Sequence, residues 1–331
     1  MGHKRRRDED LDEALHEVKH RVIGEQQVFS IDEARIRGVS KDVIRALLTS
    51  GRLHKIRHGA YVESTVWNEA QGDPLRLRRL ILSAAMIGLR GPAYAYGEIA
   101  AELHGLPIQR SGPASLVIVR PQGHDLRSAN TRLKARNRFD DVRIIGRDLS
   151  DEGVVRLHGI PSIGLASAAL TSAACFRREY AVGVFDAALA QRVTHDEILR
   201  TSPRWQAGKG ITAASRLVEL ARPGAESILE SVSRVRLMDR GVPEPILQHS
   251  FSDDRGFVGR VDMWWPEFDV VGEADGMGKY NDIRDVRAEK VREDRLRALG
   301  LTVVRWTWEE IWSTPQDVVS RIRGAHHRRA A

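Results

Sequence analysis

One segment constrains this chain more than any other. Gly259-Arg260-Val261-Asp262-Met263-Trp264-Trp265 is followed by Pro266-Glu267 and then by Asp269-Val270-Val271-Gly272-Glu273-Ala274-Asp275-Gly276. Two β-branched and aromatic runs flanking a Pro-containing turn read as a β-hairpin. Side chains alternate along a strand, so Glu273 and Asp275 share one face. Pairing across the turn places Asp262 near Val271, one diagonal step from Glu273, or roughly 7–8 Å away. Three carboxylates gathered there repel one another unless a cation sits among them. A hard divalent ion with oxygen ligands meets that need. Such an ion orients a water, lowers its pKa and stabilises charge on a phosphate being cleaved. Lys279 follows four residues after Asp275, with Gly276 and Gly278 between. An ammonium there can stabilise the transition state or orient the nucleophile. The competing reading is an ordinary hairpin with solvated acids.

The flanks extend the pattern. Ser227 to Leu237 reads as a helix with Ile228, Val232, Val235 and Leu237 apolar and with Glu226 and Glu230 on one face. Ser227-Ile228-Leu229-Glu230 is also a capping box, so Glu230 reads equally as a cap and as an active-site acid. A charged helix over Arg284 to Leu299 is expected, ended by Gly300. A buried strand from Leu301 to Trp308 and a terminal helix from Pro315 follow. The expected order is helix, hairpin, helix, strand, helix.

Charge then suggests what the rest does. The chain has 331 residues, about two domains' worth, and seven more Lys and Arg than Asp and Glu. Residues 1–27 carry net −1, residues 28–222 net +10 and residues 223–331 net −2. A basic segment of that size favours an acidic partner, with nucleic acid first. No stretch approaches the ~18 apolar residues of a membrane helix, so no membrane role is expected. Met1-Gly2-His3-Lys4-Arg5-Arg6-Arg7 turns acidic with no apolar run behind it, unlike a secretory signal. Cys175 is the lone cysteine. It permits no internal disulfide and no Cys-rich zinc site, and between Ala174 and Phe176 it reads as a core residue. A cytoplasmic protein is the expectation.

Four segments are expected along the chain. Residues 1–27 are charge-mixed, with Leu11, Leu15, Val18 and Val22 at helical spacing. Residues 28–66 read as a winged helix-turn-helix. Ser30 caps one helix with Glu33 reaching back, Gly38 ends it, and Ser40 caps a second helix with Val43, Ile44, Leu47 and Leu48 on its apolar face. Leu53 and Ile56, a turn at His58-Gly59, and Tyr61-Val62 form the wing. Such a second helix shows Lys41, Asp42, Arg45 and Thr49 to a major groove, while Arg52, Lys55, Arg57 and His58 meet phosphates. A helical hairpin with a solvated basic face is the plainer alternative. Residues 67–222 read as mixed α/β: helices over Leu75–Leu89, Ala93–His104, Ala166–Ala174 and Ala181–Leu189, and a strand over Ser115–Val119. Arg127 to Arg147 holds seven basic residues and reads as a guarded strand edge or a nucleic-acid groove. Residues 223–331 form the last domain, and the fold class is α/β (α+β).

The last domain resembles the PD-(D/E)XK nuclease superfamily, in the branch related to very-short-patch-repair endonucleases. The matching residues are Glu226-Ser227-Ile228-Leu229-Glu230, Arg260-Val261-Asp262, Trp265-Pro266-Glu267, Gly272-Glu273-Ala274-Asp275-Gly276, Lys279-Tyr280, Glu289-Lys290-Val291-Arg292-Glu293-Asp294 and Val303-Val304-Arg305-Trp306-Thr307. The resemblance implies a restriction-endonuclease-like mixed sheet flanked by helices and a site dependent on Mg²⁺ or Mn²⁺. Asp262 and Glu273 match the metal ligands, Asp275 sits in an E-x-D variant, and Glu230 matches the acid on the first helix. The family pattern has a lysine where Asp275 stands, and Lys279, or Lys290 on the next helix, would substitute for it. The N-terminal two thirds resembles the antitoxin family of type IV abortive-infection systems (AbiEi-like), through Gly51-Arg52-Leu53, Arg57-His58-Gly59-Ala60-Tyr61, Tyr96-Gly97-Glu98-Ile99-Ala100 and Leu103-His104-Gly105-Leu106-Pro107. This implies DNA binding, and it allows, without requiring, a toxin-like protein partner or a homodimer. The resulting expectation is a DNA-binding, metal-dependent endonuclease acting in defence or repair. The alternative is a non-catalytic DNA-binding regulator, antitoxin-like, with a degraded nuclease fold.

Overall fold

Helix caps set much of the local structure at the N-terminus. Ser30 and Ser40 are extended, and their hydroxyls accept from Glu33 N at 2.9 Å and Val43 N at 3.2 Å, each worth about 1 kcal/mol of helix stability. The computed structural model describes residues 2–21, 27–87, 89, 91–109, 116–122, 142–149, 153–206, 208–276 and 283–330. These fall into two compact units, Met1–Ser172 with Thr201–Gly208 and Ala173–Arg200 with Lys209–Ala331. The second unit therefore reaches upstream of residue 223, where the sequence reading began its last domain. Mixed α and β structure throughout agrees with the expected α+β class.

In the first unit the chain runs α1 (Gly2–Arg21), β1 (Val28–Ser30), α2 (Ile31–Ile36), α3 (Lys41–Thr49), β2 (Leu53–Arg57), β3 (Ala60–Glu63), α4 (Ser64–Ala70) and α5 (Pro74–Ile87). The three strands form a sheet in the order β1-β3-β2, all antiparallel, with Val28 opposite Val62 and Leu53 opposite Glu63. Val18, Phe29, Ala34, Ile44, Leu47 and Tyr61 form one core, with Leu11 and Leu15 of α1 against it. Two helices and a β-hairpin thus follow the expected helix-turn-helix-and-wing order. Beyond them come β4 (Tyr94–Tyr96), α6 (Glu98–Leu103), β5 (Leu116–Pro121), β6 (Val142–Arg147), β7 (Val154–Leu157), β8 (Ile160–Ile163) and α7 (Leu165–Ala173). The sheet order is β6-β5-β4-β8-β7. The helix expected over Ala93–His104 is instead strand β4 followed by α6. Gly97, at φ 66°, makes the break, a conformation glycine adopts without the steric cost of a Cβ. Of the basic run, Arg127, Arg132, Lys134, Arg136 and Arg138 lie outside the described residues, and Arg143 and Arg147 lie on the edge strand β6.

The remaining elements are α8 (Arg178–Ala190), α9 (His195–Trp205), α10 (Ile211–Ser215), a 3₁₀ turn at Val218–Leu220, α11 (Ile228–Met238), β9 (Ile246–Asp253), β10 (Gly256–Trp265), a 3₁₀ turn at Pro266–Phe268, β11 (Val270–Asp275), α12 (Ile283–Ala298), β12 (Thr302–Thr307), α13 (Trp308–Ser313) and α14 (Pro315–Ala330). Cys175 is exposed in the turn between α7 and α8, not in the core. The preceding helix ends at Ala173, and the flanking Ala174 and Phe176 are themselves only partly buried.

The second unit is built on a mixed sheet in the order β12-β11-β10-β9, with β11 and β12 parallel and the other pairs antiparallel. Met263, Trp265, Val270, Ala274, Val304 and Trp306 make one core with Leu229 and Leu237 of α11 and Val318 and Ile322 of α14. Val261, Val271, Leu296 and Leu301 make another. A Cβ on Gly272 would lie 2.5 Å from the Trp306 ring and 2.8 Å from that of Trp265, so only glycine lets both indoles close over β11. The indole N–H groups donate to Pro243 O at 2.9 Å and Ser233 Oγ at 2.7 Å. On α11, the fully buried Arg234 donates through Nη2 to both Asp186 oxygens at 3.1 Å, fixing α8 against α11. The pattern helix, hairpin, helix, strand, helix holds with two additions, β9 before the hairpin and α13 before the last helix.

Candidate active site

Strand β10 places Asp262 and strand β11 places Glu273. Met263 pairs with Gly272 and Trp264 with Val271. Extending that register puts Glu273 opposite Asp262, so the expected pairing of Asp262 with Val271 is off by two residues. The 3₁₀ turn at Pro266–Phe268 is why: Trp265 pairs with Val270, so residues 266–269 form the connection in place of the two-residue turn Pro266-Glu267. Here the strands part, and the Asp262 carboxylate enters the gap. Its Oδ2 accepts from Ala274 N at 2.8 Å, taking the place of a ladder bond. The two carboxylates are near enough for Asp262 to raise the pKa of Glu273.

Glu230 joins them from α11, and it does both things its sequence allowed. Ser227 Oγ accepts from Glu230 N at 3.2 Å and donates to Glu230 Oε1 at 2.7 Å, while Glu226 N donates to Glu230 Oε2 at 2.9 Å. That is a helix cap. The same carboxylate is buried and faces Asp262. The link is Gln248, a residue the sequence reading passed over. Its Nε2 donates to Glu230 Oε2 at 2.9 Å and reaches Asp262 Oδ1 at 3.5 Å. Gln248 sits at φ 53° inside β9, a conformation that costs a non-glycine residue about 1–2 kcal/mol. Burial raises the Glu230 pKa, and the Asp262 charge adds to this; the bonds from Glu226, Ser227 and Gln248 oppose it.

Glu273 is buried, and its pKa is raised to about 7, chiefly by burial, with the Asp262 and Glu289 charges adding and Arg292 and Arg305 opposing. Arg292 of α12 is its cation, with Nη2 2.5 Å from Glu273 Oε1. The same Nη2 donates to Arg260 O at 3.1 Å, and Nη1 donates to Glu289 Oε1 at 3.1 Å. Arg305, opposite Glu273 on β12, bonds Glu289 and meets Glu293 at 3.2 Å and Asp275 at 3.9 Å. The structure thus brings Asp262 near both Glu230 and Glu273 and joins Asp275 to a guanidinium on the next strand. Lys279 lies outside the described residues. Lys290 is exposed on α12, and the cation that reaches Glu273 from that helix is Arg292. Among the described residues, no group of three or more His, Cys, Asp or Glu side chains is placed so that it could hold a metal ion.

In the first unit, Lys41 and Arg45 are exposed on α3, and Lys55 and His58 are exposed on the hairpin. Arg45 donates to Asp42 at 3.0 Å. Two of the expected phosphate contacts have other partners. Arg52 donates to Asp12 of α1 at 2.8 Å, and Arg57 donates to Ala85 O of α5 at 3.3 Å. His54 of the wing stacks on Trp67, with ring centroids 4.3 Å apart. Among the described residues no helix is long and apolar enough to cross a membrane.

No protein-family model matches the chain. It is 30% identical over 168 residues to the uncharacterized proteins MT2308 and Rv2248 of Mycobacterium tuberculosis, strains CDC 1551 / Oshkosh and ATCC 25618 / H37Rv. The match covers 50% of this chain and 62% of each relative, so the chain spans less than two thirds of the length of these curated relatives. A crystal structure of the RV2827C protein from the same species aligns over 68% of this chain and 83% of its own at 16% identity, with a TM-score of 0.36, too low to argue a shared fold.

Proposed function

We propose that this is a DNA-acting protein whose second unit hydrolyses phosphodiester bonds with a divalent ion, Mg²⁺ or Mn²⁺. One observation carries the reading: Asp262 and Glu273 stand close together on neighbouring strands, and Gln248 links Asp262 to the buried carboxylate of Glu230. The donor set fits such an ion. It consists of carboxylate oxygens, which hard divalent cations prefer. A buried carboxylate whose pKa stands near 7 despite a bonded arginine is short of positive charge. Asp262 and Glu273 would hold the ion, with Glu230 and Asp275 as supporting acids.

A bound ion supplies Lewis-acid polarisation of a phosphate oxygen and a water of lowered pKa. The chain's own groups do the rest. Ala274 N and Gln248 fix the Asp262 carboxylate. Glu230, with its pKa raised by burial, is suited to accept a proton from water. Arg292 places a guanidinium at Glu273, two residues before Asp275, the position at which the family pattern has its lysine. In the first unit, Lys41, Arg45, Lys55 and His58 offer donors to a DNA backbone. A defence or repair role, and a toxin-like partner or homodimer, follow from resemblance alone.

The second reading, a non-catalytic DNA-binding regulator, draws on a specific observation. Arg292 and Arg305 already pair with Glu273, Glu289 and Asp275, as in a structural ion-pair network. Cleavage of single-stranded, duplex, nicked and mismatched DNA with Mg²⁺ or Mn²⁺ separates the two. Metal-dependent product that disappears in Asp262→Ala supports the nuclease. No product on any substrate, together with salt-sensitive binding to duplex DNA, supports the regulator.

A further inference from the structure

We propose that Arg292 is the resident counter-cation of Glu273, and that a divalent ion enters by displacing its guanidinium from that carboxylate. This rests on the metal-centre reading and adds which group an incoming ion has to displace.

The seat of Arg292 is built from several sides. Its Nη2 bridges Glu273 Oε1 at 2.5 Å and Arg260 O at 3.1 Å, and its Nη1 holds Glu289 Oε1 at 3.1 Å. Its stem lies over Gly259 on β10. A Cβ on that glycine would fall 2.6 Å from Arg292 Nε and 3.0 Å from Cδ, so the arginine reaches the site across a strand position that carries no side chain. A guanidinium and a divalent ion cannot share one buried carboxylate without strong like-charge repulsion. Glu289 gives the displaced guanidinium somewhere to remain, because that carboxylate lies on α12 with Arg292 itself and also pairs with Arg305.

Calorimetric titration of Mn²⁺ into metal-free protein reads this without any activity. Arg292→Met removes the competing charge and should bind Mn²⁺ at least about tenfold tighter than wild type. Gly259→Ala keeps every charge but unseats the arginine, and it should also bind more tightly, by several-fold. Circular dichroism checks that each variant is folded, and the glycine variant serves if Arg292→Met is not. Folded variants that bind Mn²⁺ as weakly as wild type, or more weakly, overturn the proposal while leaving the metal centre standing. Binding heat that is absent in all three proteins, or unchanged in Asp262→Asn, overturns the metal centre itself and this inference with it.

Discussion

Gln248 donates to Glu230 at 2.9 Å from a backbone held at φ 53°. This bond ties an edge strand to a helix cap and aims the same amide at Asp262. Gln248→Ala leaves one Glu230 lone pair unsatisfied and should cost about 1–2 kcal/mol in urea unfolding. Gln248→Glu sets a third carboxylate beside Glu230 and Asp262. Its loss at pH 7 should exceed that of the alanine variant and shrink as the pH falls.

Glu273 makes stability depend on pH. Its pKa is raised from 4.5 to about 7 in the folded chain. Below pH 4.5 both states hold the proton. Between 4.5 and 7 the unfolded chain loses it first, so stability falls as pH rises, by up to about 3 kcal/mol. Unfolding of metal-free protein across that window should show the slope, and Glu273→Gln should flatten it.

The sequence exposed some of this site and hid the rest for physical reasons. Asp262, Glu273 and Asp275 stood out because acids punctuated apolar strands, and Glu230 because Ser227 stands three residues before it. Strand β9 did not stand out. It carries Gln248, His249, Ser250, Ser252 and Asp253 on a sheet edge, and the positive φ at Gln248 breaks the alternation by which strands are recognised. The seat of Arg292 depends on Gly259, 33 positions away in the chain, and no local pattern reports such a contact. Helix α13 did not stand out either, although Thr307-Trp308-Glu309-Glu310 is a capping box, because the apolar run of β12 masked its start.

The buried pair of Asp186 and Arg234 stabilises the second unit only as a pair. Arg234→Met alone strands a buried carboxylate and should cost about 3–5 kcal/mol. Asp186→Leu combined with Arg234→Met should recover most of the loss, as read by the denaturation midpoint.

DNA binding by the first unit should follow the exposed cations. Lys41→Ala with Lys55→Ala should weaken duplex binding for all sequences and make the slope of log K against log salt shallower by about 2. Arg52→Ala releases Asp12 and α1, so it should lower the melting temperature while leaving the salt slope nearly unchanged.

The most direct test of the metal centre is a crystal of the protein grown with Mn²⁺ and measured for anomalous scattering. A centre at Asp262 and Glu273 predicts a peak within coordination distance of both carboxylates, with Arg292 no longer bonded to Glu273. An intact bond from Arg292 to Glu273, with no peak between the two strands at saturating Mn²⁺, would contradict it.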